Sequence, residues 1–156
     1  MIPNPKSQPA PSKTHLRLWL RLLKSSRIIE DEIRRRLRAE FNTTLPRFDV
    51  MSALFRYPEG LKMSEISGLL RVSNGNITGI VDRLTEEGLA LRVAVPGDRR
   101  ANLVRLTQKG TKTFAEQAVA HESWIDALLG NLDEQATETM ISGLDTLVAT
   151  LERRAQ

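Results

Sequence analysis

The stretch that decides the fold is MSEISGLLRVSNGNITGIVDRLTEEGLALRVAVPGDRRANLVR, residues 63–105. Its first eight residues place apolar side chains on one face and predict a short helix, Met63–Leu70, with Ser64 as its N-cap. Arg71–Ser73 predict a tight turn, and Ser73 is the expected N-cap of a second helix. That second helix should bury the side that carries apolar residues at spacings of three and four, which are Ile77, Ile80, Val81 and Leu84.

Two strands are predicted to follow these helices. Gly88 is the expected end of the second helix, because helices often finish on a residue that tolerates positive φ. The segments LALRVAV (89–95) and ANLVRL (101–106) alternate in polarity and predict strands, and PGDRR (96–100) predicts the turn between them. Two helices crossing through a short turn, followed by a two-stranded hairpin or wing, make a winged helix-turn-helix.

The second helix carries an unusual polar face near its N-terminus. Each glycine inside a helix costs about 1 kcal/mol relative to alanine, so Gly75 and Gly79 suggest that something must approach the backbone closely. A recognition helix in a DNA groove has this requirement, and asparagine side chains can bond adenine edges there. Alternatively, Ser, Asn and Gly merely start the helix while Gly79 packs against the first helix. The complete unit with its wing favours DNA.

Three stretches carry a resemblance to a known family. They are FDVMSAL (48–54), SEISGLLRVSNGNITGIVDRLTEEGL (64–89) and PGDRRANLVRLTQKG (96–110). Together they resemble the MarR family of winged-helix transcription regulators, whose wing pattern has an acidic residue two positions before an arginine, then a strand and Leu-Thr-x-x-Gly. The SNGNITG opening departs from the commoner Ser-x-x-Thr-Arg form. With LRLWLRLL (16–23) and LPRFDVM (45–51), it is similar to a branch that responds to hydroxycinnamoyl-CoA or related aromatic acids.

Composition excludes several classes of protein. The 156 residues, 40% hydrophobic and 27% charged, suit one globular domain, or a small domain with dimerisation helices. The absence of cysteine excludes disulfides, thiol catalysis, zinc–cysteine sites and cysteine redox sensing. No segment approaches the roughly 18 apolar residues of a membrane span, and no signal peptide is visible. We therefore expect a cytoplasmic protein with no membrane partner. Its net charge of +4 permits a nucleic-acid partner.

The remaining chain predicts helices on both sides of the DNA-binding unit. Residues 1–12 are proline-rich and predict a disordered arm. Residues 13–45 and 107–156 predict a helical dimerisation region around a winged helix-turn-helix domain at 46–106. Thr107 and Asp133 are the expected N-caps of two C-terminal helices. The resemblance implies that the terminal helices form a homodimer, which would read a palindromic operator with half-sites about 10 bp apart.

The DNA contacts expected from this arrangement lie on the second helix and the wing. A charged hairpin tip alone is usually only solvated, but after a recognition helix it is placed to reach the minor groove. The family pattern implies that Asp98 orients Arg100 in that groove, which leaves Arg99 to meet phosphate. The expected DNA-binding residues are Ser73, Asn74, Gly75, Asn76, Thr78, Arg83, Asp98, Arg99 and Arg100. Further phosphate candidates are Arg71, Arg92 and Arg105.

The resemblance also implies a ligand between the dimerisation helices and the winged domain. Candidates for this effector site are His15, Arg17, Trp19, Arg21, Arg34, Arg36, Arg38, Arg47, Phe48 and Met51. Trp19 could stack on an aromatic acyl group, while the arginines could hold a carboxylate or the phosphates of coenzyme A. Alternatively, Trp19, Phe48 and Met51 are ordinary core residues, and the arginines form a solvated helix face.

Motifs for other chemistry are absent from the sequence. His15 and His121 are the only histidines, and there is no nucleophile motif, phosphate-binding glycine loop or dinucleotide fingerprint. We expect no enzyme, metal site or cofactor. The predicted function is a repressor of aromatic-compound catabolism that leaves DNA when an aromatic acid or aromatic acyl-CoA binds. The rivals are a ligand-independent or architectural DNA-binding protein, and a winged-helix protein-interaction module.

Overall fold

The structure is a computed structural model that describes residues 10–70 and 74–156, without the side chains of Asn74 and Arg99. The described chain has the elements α1 (Pro11–Phe41), α2 (Leu45–Arg56), β1 (Leu61–Lys62), α3 (Met63–Leu70), α4 (Asn74–Glu86), β2 (Ala90–Val95), β3 (Asp98–Leu106), α5 (Gln108–Leu129) and α6 (Glu134–Arg154). The predicted class, mainly α with a small β-wing, is confirmed. The predicted turn at 71–73, with the cap at Ser73, lies outside the described residues.

The first two helices begin and end where local signals place them. α1 begins at Pro11, so the last two residues of the predicted arm are helical, because a proline at a helix start gives up no hydrogen bond. Residues 1–9 of that arm lie outside the described chain. α1 ends at Asn42, which adopts a left-handed φ of 50°. The Thr44 hydroxyl then accepts a hydrogen bond of 3.4 Å from the Arg47 amide and caps α2.

The first helix of the predicted helix-turn-helix begins differently from the prediction. Because α3 starts at Met63, Ser64 lies in its first turn and the predicted cap at Ser64 is wrong. The Lys62 amide instead donates to Glu65 Oε2 at 2.6 Å, which is one half of a capping box. The predicted end of α4 is confirmed, since Gly88 has a φ of 73° and its amide bonds to the Thr85 carbonyl at 3.0 Å.

The sheet has three antiparallel strands in the order β1-β3-β2. β1 is only two residues long and was not predicted, because so short a strand has no visible period; it pairs Lys62 with Leu103. The predicted turn PGDRR is too long. Val95 pairs with Asp98, so the turn contains only Pro96 and Gly97, and 98–100 belong to β3. The register changes between Ala94 and Val95, which places the extra residues 99–101 in a bulge.

The chain divides into two compact units, Met1–His121 and Glu122–Gln156. In the first unit, α4 buries Ile77, Val81 and Leu84 completely, and Ile80 is half-buried. In the second unit, Asp133 caps α6 as predicted, accepting from the Ala136 amide at 2.7 Å. No residue of α6 is buried within the described chain. Its exposed apolar side chains are Met140, Ile141, Leu144, Leu147, Val148 and Leu151.

The start of α5 packs tightly against the end of α4. The Thr107 hydroxyl accepts from the Gly110 amide at 2.9 Å and donates to the Gly88 carbonyl at 2.7 Å, which confirms Thr107 as the N-cap. A Cβ atom on Gly110 would lie only 1.9 Å from the Leu89 carbonyl oxygen. Glycine is therefore required at this junction because backbone, not a flexible side chain, occupies the space.

We expect Gly110→Ala to lower the free energy of unfolding by about 1–3 kcal/mol, because the methyl group forces the two backbones apart. Urea denaturation followed by circular dichroism measures this change. Gly68→Ala is the matched control, since a Cβ at this helical glycine meets nothing within 4 Å and should stabilise the protein by up to about 1 kcal/mol. Equal midpoints for Gly110→Ala and the wild type would contradict the close contact.

Candidate nucleic-acid interface

The outer face of α4 presents the predicted polar residues together. Because Ile77, Val81 and Leu84 are buried, the residues between them point away from the core. Gly75, Asn76, Thr78 and Gly79 are all exposed. Asn74 begins the same helix, although its side chain is outside the description, as is the whole of Ser73. The face therefore combines amide and hydroxyl groups with bare backbone.

Both glycines of α4 face open space. A Cβ atom added to Gly75 or Gly79 would meet no atom of the described residues within 4 Å. Tight packing of Gly79 against α3, the alternative raised by the sequence, is therefore wrong. The two glycines instead line a cleft of about 270 Å³ together with Thr44, Arg47, Asn76, Ile80 and Arg83. We call this the glycine cleft.

An ion pair joins the start of α2 to the end of α4. Arg47 Nη1 donates to Glu87 Oε1 at 2.9 Å, and Arg47 Nη2 bonds the second carboxylate oxygen. These hydrogen bonds from Arg47 lower the pKa of Glu87. Lys109 in α5 adds a hydrogen bond of 3.1 Å to the Glu87 carbonyl. Arg47, expected in the effector site, thus ties α2 to α4.

A second cleft separates α4 from the wing, and we call it the wing cleft. It has a volume of about 500 Å³ and is lined by Lys62, Met63, Ser64, Thr78, Arg92, Arg100, Ala101 and Asn102. The cleft brings together two predicted DNA-binding residues, Thr78 and Arg100. Its other polar residues, Lys62, Ser64 and Asn102, were not among the predicted contacts, because only the fold places them beside α4.

Two acidic residues organise the charges around the wing. Asp98 Oδ1 accepts a hydrogen bond of 3.0 Å from the backbone amide of Arg100, so the carboxylate holds the main chain of the bulge at this point. Asp82 Oδ1 accepts from Arg92 Nη2 at 2.7 Å. The pairing leaves Lys62 and Arg100 as the lining cations of the wing cleft that form no ion pair among the described residues.

The remaining phosphate candidates flank this surface. Arg83 is exposed on α4 and lines the glycine cleft. Arg105 is exposed on β3. Arg71 lies outside the described residues, and so does the side chain of Arg99. Cationic residues therefore line both the glycine cleft, which has Arg83, and the wing cleft, which has Arg100.

The ten effector candidates occupy different environments. Phe48 is only 6% exposed and Met51 1%, and the Phe48 ring packs on Phe114 and His121 at centroid distances of 5.3 and 4.9 Å. Burial in this aromatic cluster lowers the pKa of His121. In contrast, the first half of α1 exposes four candidates: His15, Arg17, Trp19 and Arg21.

The other arginines of α1 lie near its C-terminal end. Arg34 and Arg38 line a cleft of about 320 Å³ with Arg35, Thr43, Thr44 and Leu45, and we call it the arginine cleft. Arg36 instead bonds Glu32 at 2.6 Å. Hydrogen bonds from Arg35 and Arg36 lower the pKa of Glu32 to about 2.

Two further searches concern residues 10–70 and 74–156 only. No helix in these ranges combines the length and the apolar character needed to cross a membrane. The same residues contain no cluster of three or more histidine, cysteine, aspartate or glutamate side chains suited to a metal ion.

Comparison with known proteins shows which family the chain resembles. Residues 43–101 match the model of the MarR family. The transcriptional regulator MhqR of Bacillus subtilis is 27% identical over 124 residues, which cover 79% of this chain and 83% of that protein. The transcriptional activatory protein BadR of Rhodopseudomonas palustris is 31% identical over 96 residues, covering 60% of this chain and 54% of BadR.

Solved structures agree with this assignment. A MarR family transcriptional regulator from Silicibacter pomeroyi has a TM-score of 0.76 and 28% identity, covering 92% of this chain and 99% of that one. Staphylococcus aureus MepR in complex with DNA shares the fold, with a TM-score of 0.70 at 19% identity and coverage of 85% of this chain and 96% of MepR. These proteins and their family are transcription regulators, not enzymes. Residues 43–101 thus match the MarR family, and the chain is similar over most of its length to winged helix-turn-helix transcription regulators.

Proposed function

We propose that the protein is a homodimeric repressor that reads a palindromic operator and is released from it by a small aromatic anion. The observation that carries the DNA-binding geometry is that Thr78 of α4 and Arg100 of β3 line the same cleft. A helix in a major groove and a hairpin in the adjacent minor groove require two elements that lie beside each other in this way. Asn74, Asn76 and Thr78 would meet base edges, and Arg100 would enter the minor groove.

The bare backbone of α4 supports a deep approach to the groove. Each of its two interior glycines lowers helix stability by about 1 kcal/mol relative to alanine, and neither is needed for packing inside the protein. A DNA wall that comes close to the helix would account for both. In that arrangement Arg83, beside Gly79 in the glycine cleft, would meet the phosphates on this side.

Gly79→Ala should change protein stability and DNA affinity in opposite directions, so this variant separates an effect on folding from an effect on recognition. The free energy of unfolding should rise by about 0.4–1 kcal/mol, while affinity for operator DNA should fall. Urea denaturation and fluorescence anisotropy of labelled operator measure the two quantities. Gly68→Ala should stabilise α3 without weakening DNA binding, because Gly68 lines neither cleft. Unchanged affinity of Gly79→Ala would show that no DNA group approaches this turn.

A homodimer is supported by apolar surface that one chain leaves uncovered. Along α6, the six apolar side chains from Met140 to Leu151 are each 40–52% exposed, and they recur at helical spacings. α1 exposes Leu16, Leu18, Trp19 and Leu20 by 54–56%. Apolar surface of this extent marks an interaction site. A symmetric dimer would place two copies of α4 in successive major grooves, about 10 bp apart.

Replacement of Arg99 and Arg100 by alanine tests the wing. We expect the salt dependence of operator binding to lose about two units of slope, and affinity to fall by about tenfold or more. Anisotropy titrations at several salt concentrations, on DNA from upstream of the protein's own gene, provide the measurement. Lys112→Ala is the control, since Lys112 is exposed on α5 and lines neither cleft. Unchanged affinity of the double variant would favour the rival protein-interaction module.

The effector proposal is supported by the surroundings of the arginine cleft. Three arginines, Arg34, Arg35 and Arg38, line a space beside the start of α2, and guanidinium suits carboxylate and phosphate oxygens. Trp19, 55% exposed on α1, offers a ring for stacking. α2 is tied to the end of α4 through Arg47 and Glu87, so a shift of α2 would move the recognition helix. Release requires only about 1–3 kcal/mol of coupling.

A hydroxycinnamoyl-CoA should weaken operator binding by about 5- to 150-fold, the range that this coupling free energy allows. Anisotropy with the thioester, with free coenzyme A and with no addition measures the effect. Arg34→Ala combined with Arg38→Ala should retain DNA affinity and lose the response. Tight binding that ignores the thioester would discard this effector and favour the ligand-independent regulator.

A further inference from the structure

We infer that the wing cleft holds the sugar–phosphate strand that separates the two grooves, and that Lys62 and Ser64 bind its phosphates. The inference rests on the proposed function, because it assumes that the recognition helix and the wing lie in adjacent grooves. It adds two contact residues from β1 and α3, elements outside both the recognition helix and the wing.

The groove arrangement requires a backbone strand at this place. A major groove and its neighbouring minor groove share one sugar–phosphate strand as their common wall. With α4 in the first groove and the β2–β3 hairpin in the second, that strand must pass between the helix and the hairpin. The wing cleft is the open space there, bounded by Thr78 on α4 and by Arg100, Ala101 and Asn102 on β3.

A cation and a hydroxyl group are part of the lining of the cleft. Lys62 and Ser64 line the cleft, and both are exposed. The strand pairing of Lys62 with Leu103 on β3 holds Lys62 beside the wing. The hydrogen bond of 2.6 Å from the Lys62 amide to Glu65 Oε2 fixes the start of α3, where Ser64 lies. An ammonium group is a strong point charge for phosphate, and serine hydroxyls are frequent donors to phosphate oxygens.

The charges that line the cleft all have the sign that a phosphate requires. Lys62, Arg92 and Arg100 are the charged lining residues, and no carboxylate is among the residues that line it. Asp82 pairs with Arg92, and the Glu65 carboxylate is occupied by the Lys62 amide. The net positive charge therefore rests on Lys62 and Arg100, which line the same cleft.

A phosphate contact has a signature that a structural role lacks. Loss of a lysine that neutralises one phosphate should reduce the slope of log affinity against log salt by about one unit, equally for operator and mismatched DNA. Between 50 and 200 mM salt, the affinity of Lys62→Ala should therefore change about threefold to fourfold less than that of the wild type. A residue that only supports the fold would leave this slope unchanged.

The experiment combines protein variants with modified DNA. Operator duplexes carry a neutral methylphosphonate at single positions along the strand between the two grooves, and anisotropy gives the affinity of full-length wild type, Lys62→Ala, Lys62→Gln and Ser64→Ala. We expect one or two positions to weaken wild-type binding severalfold, and to weaken both Lys62 variants much less. Lys112→Ala, the exposed control on α5, should keep the wild-type slope and respond like the wild type.

The outcomes separate the two proposals. Wild-type protein that binds operator no better than scrambled DNA overturns the proposed function. Wild-type binding that tolerates every methylphosphonate, or Lys62 variants with an unchanged salt slope, overturns the cleft assignment and leaves DNA binding standing. An equal loss of slope in Lys112→Ala also overturns it, because the effect would then reflect net charge. Circular dichroism of each variant shows that the fold is retained.

Discussion

Burial of the apolar side of α4 determines which residues of this helix form its exposed polar face. Ile77, Val81 and Leu84 are fully enclosed, and their removal from water is favourable by about 1.5–3 kcal/mol each. A rotation of the helix by a fraction of a turn would expose them. The same burial therefore fixes Asn76, Thr78 and Gly79 on the outside. The packing that buries the apolar side of α4 therefore also determines which of its polar residues are exposed.

The C-terminal end of α4 is the point where several elements meet. Gly88 and Leu89 are held by the Thr107 side chain and backbone, Gly110 lies against the Leu89 carbonyl, and Arg47 pairs with Glu87. These short, polar contacts connect α2 and the start of α5 to the end of α4. In the proposed effector response, this junction within Met1–His121 would connect a shift of α2 to the end of α4.

The positions and partners of the charged residues distinguish surfaces that the net charge does not. On α1, Arg34 pairs with Glu30, and Arg35 and Arg36 pair with Glu32. Such exposed pairs contribute little to stability, but they reduce the local positive field. Around α4, only Arg92 among the cations of the wing cleft has an acidic partner in the described chain. A net charge of +4 could not distinguish these two arrangements.

The sequence by itself determined the elements whose signals are local. Helical spacing located α3 and α4, and the chemistry of turns and caps located Gly88, Thr107 and Asp133, because each of these needs only neighbours within one helical turn. The domain boundaries and the individual DNA and effector contacts stay predictions. The family resemblance, confirmed by comparison with known proteins, pointed to transcription regulation, which composition left open.

Tertiary structure decided whatever depends on distant pairing. β1 exists because Leu61 and Lys62 pair with Val104 and Leu103, more than 40 residues away, and this pairing places Lys62 beside the wing. Arg47 meets Glu87 across 40 residues of chain, and Phe48 is enclosed by Phe114 and His121. Neither partner in such a contact carries a local signal of the other. The physical reason is that periodicity and capping act along the chain, whereas clefts and ion pairs form only when the core brings separate segments together.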